Sequence, residues 1–167
     1  MSRLVSLFLS LAFFLGTAFT TMVQAEPQNN DRALAGVDQA TVLFDITLSD
    51  PAMLSAQMNV IRETYRDLEA NGLTPKMVLA FHGRNVHFLT RHLDTVPLED
   101  LAQVETFNDN LSQLIALEGV RVEACAIAIR LFGADREAMR EGVQVVGNTY
   151  ISNMGYDKQG YTVIGVR

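Results

Sequence analysis

The chain has 167 residues, of which 49% are hydrophobic and 19% are charged, and its formal net charge is −6 at pH 7. An acidic chain without a basic block is a poor candidate for binding nucleic acid, and this hydrophobic content is too high for an intrinsically disordered protein. A chain of this length can fold as one domain around a single core.

Residues 1–25 have the pattern of a secretory signal peptide. Arg3 precedes an uncharged apolar stretch from Leu4 to Phe19, and Val23-Gln24-Ala25 supplies a small-x-small cleavage site. We therefore expect an exported, periplasmic protein. After cleavage, no remaining apolar run approaches the roughly 20 residues of a membrane span. The alternative is that the segment remains as an uncleaved N-terminal anchor.

The remainder of the chain alternates between apolar strands and amphipathic helices. Residues 26–39 are polar and lack periodicity, which predicts a flexible N-terminal lead before a domain at 40–167. In chain order, the predicted elements are strand 41–46, a helix from Pro51 to Asn71-Gly72, strand 77–81, a short helix at 86–93, a helix from Pro97 to Gly119, strand 120–124, helix 126–132, a helical turn at 135–140, strand 143–146, helix 148–157 and strand 161–166.

Apolar residues at helical spacing identify the sides of the two long helices that should face the core. The first helix has Leu54, Met58, Ile61, Tyr65 and Leu68, and the second has Leu98, Leu101, Val104, Phe107, Leu111, Leu114 and Ile115. The methionines Met53, Met58 and Met77 also fall in apolar patterns and are predicted to lie in the core. Alternation of strands and helices with apolar strands predicts an α/β fold, a parallel sheet with helices on both faces.

Polar residues follow three of the predicted strands. These are His82-Gly83-Arg84 after the second strand, Cys125 after the third and Gly147-Asn148 after the fourth. The carboxyl ends of parallel strands meet at one edge of the sheet, where α/β proteins bind their ligands. We therefore predict a site at this edge, with Cys125 as the reactive group and with His82, Gly83, Arg84 and Asn148 shaping a pocket.

Cys125 is the only cysteine of the chain. A single cysteine in an exported protein is a free reactive thiol, a group for intermolecular pairing, or a small buried hydrophobe. Its place at the first turn of a predicted helix favours the reactive thiol, because unpaired backbone N–H groups there stabilise a thiolate. Glu123 would raise the pKa of this thiol if its carboxylate were close, and Arg84 or His82 would offset that effect.

The segment Gly119–Ala128, followed by Gly133, resembles the cysteine segment of the DsrE/DsrF family, which includes the TusD-type sulfur carriers. The strand ending in His82-Gly83 and the segments 142–146 and 159–164 resemble further strands of that family. The resemblance implies a three-layer α/β/α fold with a five-stranded parallel sheet, assembled into homotrimers or hexamers. It also implies that Cys125 carries sulfane sulfur as a persulfide, between donor and acceptor thiols, as in a sulfurtransferase-type carrier.

Sulfur exchange of this kind needs no metal and no organic cofactor, since a thiolate alone attacks and is attacked. The competing interpretation is a non-catalytic homo-oligomeric module that binds a small anion or a partner protein. A copper or zinc site is the third alternative, suggested by His82, His87 and His92. A step of five residues rotates the side chain by about 140° on a helix, so these histidines would not share a face. We therefore expect His87 and His92 at or near the surface.

Overall fold

A computed structural model describes residues 29–167 of the chain. The predicted signal peptide, 1–25, and the start of the predicted lead lie outside the described residues. Residues 29–35 belong to a different compact unit from residues 36–167 and contain one short helix, α1 (Asp31–Leu34). Among the helices in the described range, none is long and apolar enough to cross a membrane.

Residues 36–167 are built around one sheet of five parallel strands in the order β4-β3-β2-β1-β5. The strands are β1 (Ala40–Ile46), β2 (Pro75–Phe81), β3 (Val120–Cys125), β4 (Val143–Val146) and β5 (Thr162–Val166). The predicted α/β class and the five-stranded parallel sheet are confirmed. The central strands β1 and β2 are mostly buried, whereas β5 lies at an edge and is exposed over most of its length.

Four longer helices connect these strands: α2 (Pro51–Ala70), α3 (Leu101–Ile115), α4 (Ala126–Phe132) and α5 (Thr149–Lys158). Helix α2 begins where the sequence predicts, since the Asp50 carboxylate accepts a hydrogen bond of 2.7 Å from the backbone N–H of Met53. Helix α4 ends at Gly133, whose φ of 74° is left-handed. Short 3₁₀ helices occupy Arg84–Leu89 and Leu98–Asp100.

The helices cover both faces of the sheet, as predicted. Successive strand residues point to opposite faces, so Phe44 and Ile46 pack with the buried residues of α2 and α3, while Leu43 and Ala80 face Tyr156 of α5 and its surroundings. Helices α2 and α3 also contact each other directly, through a hydrogen bond of 2.9 Å from the Asn110 amide to Ser55 Oγ. The sheet therefore has α2 and α3 on one side and α5 on the other.

Two predicted core residues are exposed. Met53 is 55% exposed and Leu98 is 83% exposed. Met53 lies in the first turn of α2 beside Leu54, which takes the buried position, and Leu98 lies in the 3₁₀ turn that precedes α3. The other predicted stripe residues are buried or partly buried. In both helices the exposed residue therefore lies at the N-terminal end, before the part of the helix that faces the sheet.

Two predicted helical segments between the strands differ in the structure. The short helix predicted at 86–93 is a 3₁₀ helix at Arg84–Leu89, which begins two residues earlier and ends four residues sooner. Residues 135–140 form turns, with an isolated antiparallel bridge between Thr90 and Met139. The backbone there bonds across the chain, from Arg91 N to Ala138 O at 2.7 Å and from Arg140 N to Leu89 O at 2.9 Å. These long-range hydrogen bonds replace the local ones of a helix.

Candidate functional site

The carboxyl ends of the three neighbouring strands β1, β2 and β3 bring three polar side chains into one row. Phe81 pairs with Ile46 on one side and with Ala124 on the other. The residues that follow are Thr47, His82 and Cys125, and the period of two places all three on the α5 side of the sheet. Because neighbouring strands are about 4.8 Å apart, His82 and Cys125 are adjacent in this row.

A cavity of about 420 Å³ opens at this edge. Its polar lining consists of Thr47, His82, Gly83, Cys125, Asn148 and Thr149, and its other walls are Ile127, Ala128, Leu131, Phe132 and Tyr150. Four of the predicted site residues, Cys125, His82, Gly83 and Asn148, therefore line one cavity. Cys125 is a free thiol and only 5% exposed, so access to its sulfur is through this cavity.

Cys125 is the residue immediately before α4, at its N-cap position. Burial raises the pKa of its thiol, but the nearby backbone N–H groups of Thr149, Ala128 and Ile127 and the Thr149 hydroxyl lower it by more. The net result is a pKa below that of an ordinary cysteine. These N–H groups belong to the first turns of two helices, α4 and α5, so two positive helix ends meet at one sulfur atom.

The start of α5 is fixed by Asn148, whose side-chain oxygen accepts a hydrogen bond of 2.9 Å from the backbone N–H of Tyr150. This cap holds the Thr149 N–H in place beside the sulfur. The Thr149 hydroxyl is buried and has no hydrogen-bond partner among the described residues. It is therefore free to donate to a thiolate at Cys125.

Gly83 and Arg84, the residues after His82, have different surroundings. Gly83 has a φ of 131°, a backbone conformation that residues with a side chain rarely adopt, so the turn at the cavity wall favours glycine. The guanidinium of Arg84 lies 5.4 Å from the ring centre of Phe132 and does not line the cavity. Arg84 therefore contacts the wall from behind and does not face the thiol.

The Glu123 carboxylate points beneath α5. Its Oε1 accepts a hydrogen bond of 3.0 Å from the Tyr156 hydroxyl, and it is buried. Burial and the hydrogen-bond donors around the sulfur account for the shift in the pKa of the Cys125 thiol, and Glu123 is not among these causes. The helix N–H groups therefore outweigh the effect of burial, and neither His82 nor Arg84 is among the causes of the shift.

Asp45 is a site residue that sequence reasoning missed. It lies in β1, is 6% exposed, and its Oδ1 contacts His82 Nε2 at 2.5 Å. The Asn153 amide donates to the same oxygen at 2.8 Å, and the Arg167 guanidinium bonds Oδ2 at 2.8 Å. Burial raises the pKa of the Asp45 carboxyl, but the hydrogen bonds from Asn153, Arg167 and His82 and the charge of His82 lower it below 3.8 overall. Asp45 is therefore a carboxylate.

The other two histidines stand apart from this cavity. His87 is partly buried, with Nε2 at 2.9 Å from the Phe132 carbonyl oxygen and Nδ1 at 3.0 Å from Thr95 Oγ1, and His92 is exposed. In the part of the chain that the structure describes, no three histidine, cysteine or acidic side chains group as metal ligands. His82 alone of the three lines the cavity with Cys125.

The sequence comparison matches residues 17–165 to the DsrE/DsrF-like family. The chain belongs to this family. Membership relates the protein to sulfur metabolism. The family match extends from before β1 into β5, so it includes every residue that lines the cavity.

Two individual proteins are similar to the chain. An uncharacterized protein of Aquifex aeolicus (strain VF5) is 21% identical over 122 residues, which are 73% of this chain and 54% of that protein. The chain thus spans about half the length of this curated relative. The structure of MTH1491 from Methanobacterium thermoautotrophicum, a protein of unknown function, is 20% identical and has a TM-score of 0.56 over 77% of this chain and 99% of that one. At this identity the likeness shows the fold alone.

Proposed function

We propose that the protein binds and relays sulfane sulfur as a persulfide on Cys125. The observation that carries the proposal is the position of this thiol, which lines a cavity and directly precedes α4, where N–H groups in the first turns of α4 and α5 lower its pKa. A lowered pKa increases the thiolate fraction at neutral pH, and the thiolate is the form that attacks sulfur. Membership of the DsrE/DsrF-like family supports the same chemistry.

The relay consists of two exchanges. In loading, the Cys125 thiolate attacks the outer sulfur of a donor persulfide, R–S–S–H, forming Cys125–S–S–H and releasing the donor thiolate R–S⁻. In unloading, an acceptor thiolate attacks the outer sulfur of Cys125–S–S–H, and Cys125 leaves as a thiolate. Each step breaks one S–S bond and forms another, so there is no net oxidation. One cysteine suffices because the next cysteine belongs to the acceptor.

The apolar part of the cavity wall suits a bound sulfane sulfur atom. Sulfane sulfur is polarizable and weakly solvated, and it would contact the apolar side chains Ile127, Leu131 and Phe132 opposite the polar row. The donor and acceptor are thiols of small molecules or proteins. We further propose that the protein acts in the periplasm, on the strength of the signal-peptide pattern of residues 1–25. This location separates it from sulfur relays inside the cell.

Assembly into a homotrimer or hexamer is part of the proposal. Helices α4 and α5 expose several large apolar side chains: Leu131 and Tyr150, which line the cavity, and Ile151 and Met154. Apolar groups exposed together favour contact with another protein surface. Size-exclusion chromatography with light scattering tests this point, and a monomer at micromolar concentration would contradict it.

Intact-protein mass spectrometry tests the carrier function. The purified protein is exposed to inorganic polysulfide, whose terminal sulfur the thiolate takes while the shortened polysulfide leaves. We expect a gain of one sulfur that is removed by a reducing thiol. The chain has a single cysteine, so Cys125→Ser is a complete control and should gain nothing. A wild-type protein that gains no sulfur, while its thiol remains free to alkylation, would contradict the proposal and favour a non-catalytic binding module.

A further inference from the structure

The ion pair of Asp45 with His82 has no part in the relay as described so far. Asp45 lies between Phe44 and Ile46 in a buried strand, where an apolar residue would fit the core. Burying a carboxylate is unfavourable unless its oxygens are well bonded, and here both oxygens have close cationic or amide partners. Because burying this carboxylate is unfavourable and it lies beside the candidate site, we ask what it does there.

The hydrogen bond to Asp45 fixes the tautomer of His82. A carboxylate only accepts hydrogen bonds, so His82 Nε2 carries the hydrogen that points to Asp45 Oδ1. The other ring nitrogen, Nδ1, has no hydrogen-bond partner among residues 29–167. The ring is further held by Tyr150, whose aromatic ring meets it edge to face at 5.4 Å. His82 thus presents one unoccupied basic nitrogen on a fixed ring.

This ring lines the cavity that also contains Cys125, one strand away in the sheet. The side chain of His82 is 13% exposed, so its exposure is small and is on the cavity side. An acceptor or donor thiol that reaches the sulfur of Cys125 must enter the same cavity. The sulfur atom of that thiol is then close to His82.

We propose that His82 is the proton-transfer residue of the sulfur relay and that Asp45 is the positioning residue that orients its ring and stabilises its charged form. This inference rests on the proposed function. In unloading, an acceptor thiol A–S–H gives its proton to His82 Nδ1 as its sulfur attacks the outer sulfur of Cys125–S–S–H. The products are A–S–S–H, the Cys125 thiolate and an imidazolium paired with Asp45.

Loading returns the proton. The Cys125 thiolate attacks D–S–S–H, and the imidazolium of His82 donates its proton to the leaving thiolate D–S⁻, which departs as D–S–H. Over one cycle D–S–S–H and A–S–H become D–S–H and A–S–S–H, and His82 ends as it began. Within the proposed cycle, the thiolate and the imidazolium thus stand side by side only between unloading and the next loading, and in the loaded protein Nδ1 is free to accept a proton.

The charged and titratable groups around His82 come from four elements. Asp45 from β1 bonds it, Arg167 beyond β5 bonds the same carboxylate, Cys125 lines the cavity from β3, and Tyr150 contacts the ring from α5. Arg167 neutralises one oxygen of Asp45 and leaves the other for the imidazolium. Replacing Asp45 with asparagine would remove the charge that balances the protonated ring.

The test measures unloading of wild-type protein that has been loaded with polysulfide, using free cysteine as the acceptor, between neutral and alkaline pH. An ordinary thiol has a pKa near 8.5, so only about 3% is ionised at pH 7 and a base beside it accelerates attack. We expect His82→Gln to unload about tenfold more slowly at pH 7. The deficit should disappear above about pH 9.5, where the acceptor is already a thiolate.

His87→Gln is the matched control, since His87 is also partly buried but its two ring nitrogens bond to protein groups away from the cavity. It should unload at the wild-type rate, or more slowly by the same factor at every pH. Asp45→Asn provides a second variant of nearly unchanged shape. It should show a smaller deficit at pH 7 than His82→Gln and the same recovery at alkaline pH.

Each outcome decides between the two proposals. Wild-type protein that does not load sulfur overturns the proposed function. Wild-type protein that loads, together with a His82→Gln variant that unloads equally fast at pH 7, overturns only the role of His82. A deficit in His82→Gln that is constant across pH also overturns it, because a structural defect is not repaired by ionising the acceptor.

Discussion

The two faces of the sheet are built from different kinds of residue. On the side of α2 and α3 the buried residues are almost all apolar, and Leu54, Met58, Phe107 and Leu111 are at most 1% exposed. On the side of α5 the sheet and helix bury the polar groups Asp45, Glu123 and Thr149. Asp45 and Glu123 accept hydrogen bonds from Asn153 and Tyr156 of α5.

The outer surfaces do not repeat this difference, because both layers expose large apolar side chains: Met53 and Val60 on α2, and Ile151 and Met154 on α5. Apolar burial stabilises a fold by about 25 cal/mol per Å², whereas a buried polar group at best recovers its lost hydration. Apolar burial on the α2–α3 face therefore supplies most of the free energy of unfolding. The α5 face contributes less, because its buried polar groups position the site.

The largest effect should come from the apolar face. Met58 and Met53 lie on the same helix, but Met58 is fully buried and Met53 is 55% exposed. We expect Met58→Ala to lower the free energy of unfolding by about 3 kcal/mol, since it removes buried methylene groups and leaves a cavity. Met53→Ala should change it by less than about 0.5 kcal/mol. Urea denaturation measures both, and equal losses would show that the predicted difference in burial is wrong.

A smaller and pH-dependent effect should come from Asp45 on the polar face. Its pKa is lowered in the folded protein, so the stability that ionised Asp45 contributes is complete well above 3.8 and is lost as the pH falls through the folded value. Asp45→Asn should therefore make the free energy of unfolding less dependent on pH below about 4. Acid titrations of the melting temperature compare the two proteins. If the melting temperatures of the wild type and the variant fall equally with pH, the pKa of Asp45 is not lowered in the folded protein.

The smallest effect should concern reactivity and leave stability nearly unchanged. Thr149→Val removes a hydroxyl that helps to lower the pKa of the Cys125 thiol, while the backbone N–H groups of both helices remain. Losing one hydrogen bond of about 1 kcal/mol should raise this pKa and slow alkylation by iodoacetamide at pH 7 roughly fivefold. Thr149→Ser keeps the hydroxyl and serves as the control. If Thr149→Val is alkylated as fast as the wild type, the backbone N–H groups alone lower the pKa of the thiol.

Most of the fold was predictable because each strand is a short apolar run and the main helices carry clear signals at their ends. Asp50-Pro51 marks the start of α2, and Gly133 marks the end of α4, both as predicted. The segment 135–140 was mistaken for a helical turn because nothing in its local sequence shows that its backbone bonds to residues near Leu89 and Arg91. Such long-range hydrogen bonds leave no periodic pattern.

The site was predictable to the extent that it depends on strand ends. Cys125, His82, Gly83 and Asn148 each follow a strand, and topology alone brings them to one cavity. Asp45 was missed because it lies inside a strand, where its partners Asn153 and Arg167 are more than 100 residues away in sequence. The available signal was the charge itself, a single carboxylate within the apolar run of β1. A buried carboxylate needs a hydrogen-bond or ionic partner, and the sequence does not show which residue supplies it.

The position of β5 beside β1 has a consequence for how the chain acquires its native state. The contacts between these strands join residues about 120 positions apart, from the Thr41 hydroxyl to the Gly160 carbonyl and from Asp45 to Arg167. Closing so long a loop is slow, so the sheet can assemble from β1 to β4 well before its last strand docks. Until then the carboxylate of Asp45 lacks its guanidinium. The ion-pair network around Asp45 is thus complete only when β5 has docked beside β1.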